Sequence, residues 1–160
     1  MSVSKIPPGF HTVTPSLIVR NAAQAIEFYK KALGAEERMV MKDPQGNVSH
    51  AEIRIGDSIL FITDESPAMG TKSPQTLGGT ASNLYLYVED VDSAFKRAVE
   101  AGGKATMPVS DMFWGDRFGQ FVDPYGHSWG LSTHVEDVSE EETERRAVDF
   151  YKQMAQRKTA

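Results

Sequence analysis

A chain of 160 residues, 40 % hydrophobic and 24 % charged, has room for one globular domain with a sizeable core. A net charge of −5 with no basic run argues against a nucleic-acid surface, and the absence of cysteine excludes disulfides, a thiolate nucleophile and a Cys-ligated zinc. No apolar stretch approaches a membrane span and no charged-then-apolar leader is seen, so the expectation is a soluble, cytoplasmic protein without membrane or nucleic-acid partners.

Residues 1–10, with Pro7-Pro8-Gly9, read as an extended arm. Thr12 to Arg20 alternate as a strand, and Ala22 to Leu33 carry apolar residues at helical spacing, with Gly34 as the left-handed stop. Glu36 to Lys42 is a second strand, ended by the turn signal Asp43-Pro44-Gln45-Gly46. Ser49 to Ile55 and Ser58 to Thr63 form a hairpin about Gly56-Asp57. Residues 66–81 are rich in Pro, Gly, Ser and Thr and read as a linker or mobile flap. The order then repeats: a strand over Asn83 to Val88, a helix over Val91 to Ala101, and a strand from Lys104 that Pro108 cuts at Met107. Asp111 to Gly115 is loop-like, and strands over Arg117 to Val122 and Ser128 to Thr133 flank the turn Asp123-Pro124-Tyr125-Gly126. From Val135 the chain is acidic and then helical, opened by the capping box Ser139 to Glu142. Val148, Tyr151 and Met154 mark a docking side, with Phe150 nearby.

Two segments are similar to each other. SLIVRNAAQAIEFYKKALG (16–34) and YLYVEDVDSAFKRAVEAGG (85–103) each run strand, short turn, amphipathic helix and glycine, 69 residues apart at Val19 and Val88. The expected organisation is one domain over 1–135, made of module one (12–65), the linker (66–81) and module two (82–135), followed by a segment and helix over 136–160. Both modules read βαβββ, which gives an α+β fold of two tandem units about a shared cleft. Strand alternation puts Leu17, Val19, Ala51, Ile53, Leu84, Leu86, Trp129 and Leu131 on an apolar face that carries the helices. The opposite face is polar and aromatic, a composition suited to lining a cavity.

Several side chains could carry chemistry. His50 and Glu52, two apart on a strand, share a face and form a candidate catalytic acid–base or metal-sharing pair; the alternative is a structural pair with Arg54 as counter-ion. The loop Met112 to Gly119 is dense in aromatics and holds the pair Asp116-Arg117. Trp114 could close over a flat ligand and Arg117 could fork onto a carboxylate or phosphonate. Tyr85 and Tyr87 are the stacking candidates, and Gln120 or His134 could complete a site. The candidate ligand-binding set is therefore Tyr85, Tyr87, Trp114, Asp116, Arg117 and Gln120. His11 and His127 read as structural or surface residues.

The paired βαβββ order, the two strand-turn-helix segments and the closing DPYGHSW resemble the vicinal oxygen chelate superfamily, the glyoxalase and bleomycin-resistance fold, over about Thr12 to His134. HAEIRIGDSILFITDE and FWGDRFGQFVDPYGHSWGLSTHVEDVSEEE are similar to its PhnB-like branch. The resemblance implies a half-barrel around a small-molecule ligand, a homodimer and, in the enzymes, a divalent metal bound from the first and fourth strands of each module. Carried over by position, those places are Thr14, Leu60, Asn83 and Gly130, none of them His or Glu. No metal or other cofactor is therefore expected at the usual centre. The leading expectation is a metal-free small-molecule binder. The rivals are a lyase, isomerase or dioxygenase-like enzyme displaced to His50 and Glu52, and a dimeric interaction module.

Overall fold

The computed structural model describes residues 3–157; the first two residues of the arm and residues 158–160 lie outside it. In the first module, β1 (Ser16–Val19) leads into α1 (Ala22–Leu33), followed by β2 (Glu36–Lys42), β3 (Val48–Ile55) and β4 (Ser58–Asp64). Helix α1 begins where the Asn21 side chain accepts from the Gln24 N–H, and it ends at Gly34 in the left-handed conformation, φ 66°. Lys30 and Lys31 sit in its last turn, where the helix dipole favours positive charge. Its buried stripe, including Ala25, Ile26, Tyr29 and Leu33, covers the apolar side of the first sheet.

The second module repeats the plan with β5 (Asn83–Tyr87), α3 (Val91–Glu100), β6 (Lys104–Asp111), β7 (Asp116–Val122) and β8 (Ser128–His134). Asp90 caps α3 through the Ser93 N–H. The sheet orders are β1-β4-β3-β2 and β5-β8-β7-β6, with the first pair of each parallel and the rest antiparallel. The repeat extends to register. Ser16 faces Phe61 across β1 and β4, and Tyr85 faces Gly130 across β5 and β8, each partner 69 residues from its counterpart. The fold is thus α+β, two four-stranded sheets with their helices plus a C-terminal helix.

Burial follows the alternation: Leu17, Val19, Ala51, Ile53, Trp129 and Leu131 are in the core, while Tyr85 and Tyr87 are exposed. The modules are tied at Asp123 of the β7–β8 turn. Its Oδ2 accepts from the Tyr29 hydroxyl of α1 at 2.7 Å and from the Trp129 indole at 2.8 Å, all buried. His127 of the same turn lies 3.0 Å from the Ile18 carbonyl oxygen through Nε2, so its role is structural.

The structure departs from several expectations. The arm is not extended: the Phe10 N–H bonds back to the Pro7 carbonyl, and the Phe10 ring packs 5.8 Å from Phe61. The first strand is shorter than Thr12 to Arg20. Within residues 66–81, read as a linker or mobile flap, the chain holds a 3₁₀ turn (Pro67–Met69) and a short helix α2 (Pro74–Leu77) capped by the buried Ser73. Pro108 does not end β6. The ladder to β7 is irregular between Ala105 and Ser110, and that irregularity accommodates a residue with no N–H. Finally, α4 (Glu140–Arg157) starts at the Ser139 cap, but Glu142 turns to Arg145 and Arg146. Of its expected docking side, Tyr151 and Phe150 reach Phe113, whereas Val148 and Met154 stay exposed.

Candidate functional site

Adjacent strand residues point to opposite faces. On the face of the second sheet away from α3, register aligns Tyr85, Gly130 and Gln120 in one row, and Tyr87, Ser132 and Phe118 in the next. Asp116 and His134 pair at the end of this grid. Asp116 is its hub, with a buried carboxylate. Oδ2 accepts from the Tyr85 hydroxyl at 3.1 Å, the Tyr87 hydroxyl at 3.0 Å and the Trp114 indole at 3.1 Å. Oδ1 takes His134 Nδ1 at 2.8 Å, and His134 Nε2 lies 2.9 Å from Asp137. The Tyr85 hydroxyl also contacts Ser132 at 2.9 Å.

Burial pushes the Asp116 carboxyl up, but the hydrogen bonds from His134, Tyr87, Tyr85 and Trp114 outweigh it and hold the group below the usual aspartate value. The hydrogen bonds to Asp137 and Asp116 raise His134, which favours imidazolium. Burial raises Tyr85, and the hydrogen bond to Asp116 raises Tyr87, so both phenols stay protonated as donors. A carboxylate that already receives four donors is poorly placed to abstract a substrate proton. What it does is lock three aromatic rings in place. Tyr85 stacks on Phe118 at 5.2 Å and 8°, and Tyr87 lies 5.3 Å from Tyr85. The outer rings remain open, Tyr87 at 67 % and Tyr85 at 41 % exposure.

Trp114 joins this cluster 6.1 Å from Phe118 and is braced by Phe113, which contacts Phe150 of α4 at 5.2 Å. The bracing needs Gly115 at φ 97°, because a Cβ there would lie 2.1 Å from the Glu136 carbonyl oxygen. Gln120 shares the face and donates to Ser128, which donates to Asn83. Arg117 does not belong to the site. As the neighbour of Asp116 on β7 it faces the helix side, where Asp92 holds it in a fork at 2.7 and 2.8 Å and Asp111 adds a third bond at 3.0 Å.

His50 and Glu52 share a face as expected, 3.7 Å apart, but on the other sheet. Arg54 pairs with Glu36 instead, and Arg38 is the cation nearest Glu52, at 4.0 Å. His50 sits edge-on to Phe61 at 4.7 Å. Glu52 lines a cavity of about 560 Å³ under the folded arm, with Phe10, Thr14 and Phe61. Tyr85 and Tyr87 line a different, larger cleft of about 1040 Å³ that follows the free edge of β5 and is walled by Leu33, Ile55 and Leu60 of the first module. The structure does not merge the two candidate sites.

The register corrects one metal position. The counterpart of Gly130 is Phe61, while Leu60 belongs to the core. Thr14, Phe61, Asn83 and Gly130 offer no imidazole or carboxylate. The space over Gly130 is also filled, since a Cβ there would lie 2.6 Å from Phe118 Cε2 and 3.2 Å from Tyr85 Cδ2. These residues do not fit the divalent metal of the fold's enzymes. Among the described residues no group of three His, Asp or Glu side chains is arranged to hold a metal. Sequence reasoning missed Phe118, Ser132 and the His134–Asp137 link. Extending the alternation back from Gln120 through Phe118 to Asp116 would have found the first.

Residues 9–131 match the family model described as the Glyoxalase/Bleomycin resistance protein/Dioxygenase superfamily. An uncharacterised protein of Mycobacterium bovis is 41 % identical over 133 residues, covering 81 % of this chain and 88 % of that protein. TioX from a Micromonospora species superposes with a TM-score of 0.63 at 22 % identity, covering 78 % of this chain and 99 % of TioX. The PhnB protein of Bacillus cereus superposes at 0.60 with 23 % identity, covering 77 % and 99 % respectively. With two βαβββ units in register, and this match over most of its length, the chain belongs to the glyoxalase/bleomycin resistance protein/dioxygenase superfamily.

Proposed function

We propose that this protein binds a planar small molecule in the cleft along β5, without a metal, using the open faces of Tyr85 and Tyr87. One observation carries the reading: a carboxylate-anchored aromatic stack fills the position from which a metal ligand would project. The cleft volume of about 1040 Å³ suits a drug-sized ligand, and its walls combine apolar side chains with a few polar groups. Asp116 and Trp114 support and orient the rings, and Gln120 shares their face. Arg117 takes no part.

Calorimetric titration with planar aromatic compounds, with and without a chelator, tests this. Binding is expected to be indifferent to the chelator. Tyr87→Ala should weaken it about tenfold, the loss expected for one stacking ring, and His50→Ala should leave it unchanged. Binding that requires an added divalent metal, or that is lost in His50→Ala and kept in Tyr87→Ala, would instead favour the displaced enzyme site.

A further inference from the structure

Resting on that reading, we infer that the cleft selects an organic cation with an apolar, aromatic body. An anion would need positive side chains to meet it, and the one Lys or Arg among the described residues that lines this cleft, Arg97, stands against three carboxylates, Asp57, Glu89 and Asp90. Arg117 is held by Asp92 and Asp111 on the far face. His134 has a carboxylate on each ring nitrogen. Arg97 lines the cleft from α3, exposed, with its Nε–H bonded to the Ala32 carbonyl oxygen at 3.2 Å.

The acidic groups of the same cleft are open as well. Asp57 and Glu89 line it and are exposed, and the only ion pair of Asp57 among the described residues is a loose one to His11, at 4.0 Å. Tyr85 and Tyr87 line the same cleft. A ring face attracts cations through its quadrupole, and a phenol that donates to a carboxylate becomes more electron-rich. Asp116 therefore reaches the ligand through the tyrosine rings, although its own oxygens are occupied. Leu33, Ile55 and Leu60 of the first module supply apolar wall for the rest of the molecule.

Three probes of one shape separate the possibilities: N-methyl-4-phenylpyridinium, neutral 4-phenylpyridine at mildly alkaline pH, and biphenyl-4-carboxylate. In low-salt calorimetry the cation should bind about tenfold more tightly than the neutral probe, and the carboxylate weakest. Added salt should erode the cation's advantage. The variants Asp57→Asn and Glu89→Gln, both at exposed positions, should reduce that advantage while leaving the neutral probe unaffected. If the neutral probe binds as tightly as the cation, or the carboxylate binds best, the cation assignment falls and the binding face stands. If none of the three binds at millimolar concentration, the binding-face reading falls with it.

Discussion

Asp116 brings four side chains into one network, and His134 is the member that titrates in an accessible range. With Asp137 and Asp116 on its two nitrogens, its folded value lies above the ordinary imidazole value of 6.5. A raised value gives stabilisation that is complete below the unfolded value and is lost as pH rises through the folded one. Melting temperatures recorded from mildly acidic to mildly alkaline pH should therefore fall more steeply for the wild type than for His134→Gln. Parallel curves across that window would contradict the assigned linkage. The sequence made part of this legible. Tyr85, Tyr87, Trp114 and Asp116 all stand out in the sequence, because aromatic residues on a polar strand face are uncommon. It misassigned Arg117, since starting the strand at Arg117 left Asp116 in a loop and hid that the two must face opposite ways. His134 was in view, but its link to Asp137 needed the geometry of the segment leading to α4.

Helix α2 shows how composition can mislead about an element. Residues 66–81 read as a linker from their Pro, Gly and Ser content, yet Ser73-Pro74 followed by Gly78 is a cap, a first-turn proline and a left-handed stop in the right order. What holds so short a helix is tertiary. Glu65 accepts from the Ser73 N–H at 2.9 Å and the Thr76 hydroxyl at 2.6 Å, and Arg20 donates to both Glu65 and Thr76. The bonds from Thr76, Ser73 and Arg20 lower its carboxyl to about 2. A lowered value means the stabilisation is present above the unfolded 4.5 and is lost as pH falls towards about 2. Glu65→Gln should speed amide exchange in residues 66–80 at neutral pH while the sheets keep their protection. Exchange unchanged in that segment would mean packing alone holds α2.

At the level of the whole molecule the repeat was the most legible feature, because the constant 69-residue offset reflects paired strands and not local propensity. The tie between modules was not legible, since Tyr29 and Asp123 are 94 residues apart. Tyr29→Phe keeps the ring contacts with Phe28 and Trp129 and removes only the hydroxyl bond to a buried carboxylate. It should cost about 1.5–3 kcal/mol in chemical denaturation, and a variant as stable as the wild type would show the tie to be idle. The same tie has an optical consequence. The chain has two tryptophans, each donating its indole N–H to an aspartate: Trp129 to Asp123 in the solvent-free interior, and Trp114 to Asp116 at the partly exposed aromatic face. Their fluorescence should divide under a collisional quencher into a shielded component that follows the joining of the modules and an accessible one that follows occupancy of the face. The native protein thus carries one built-in reporter for the joining of the modules and another for the proposed binding face.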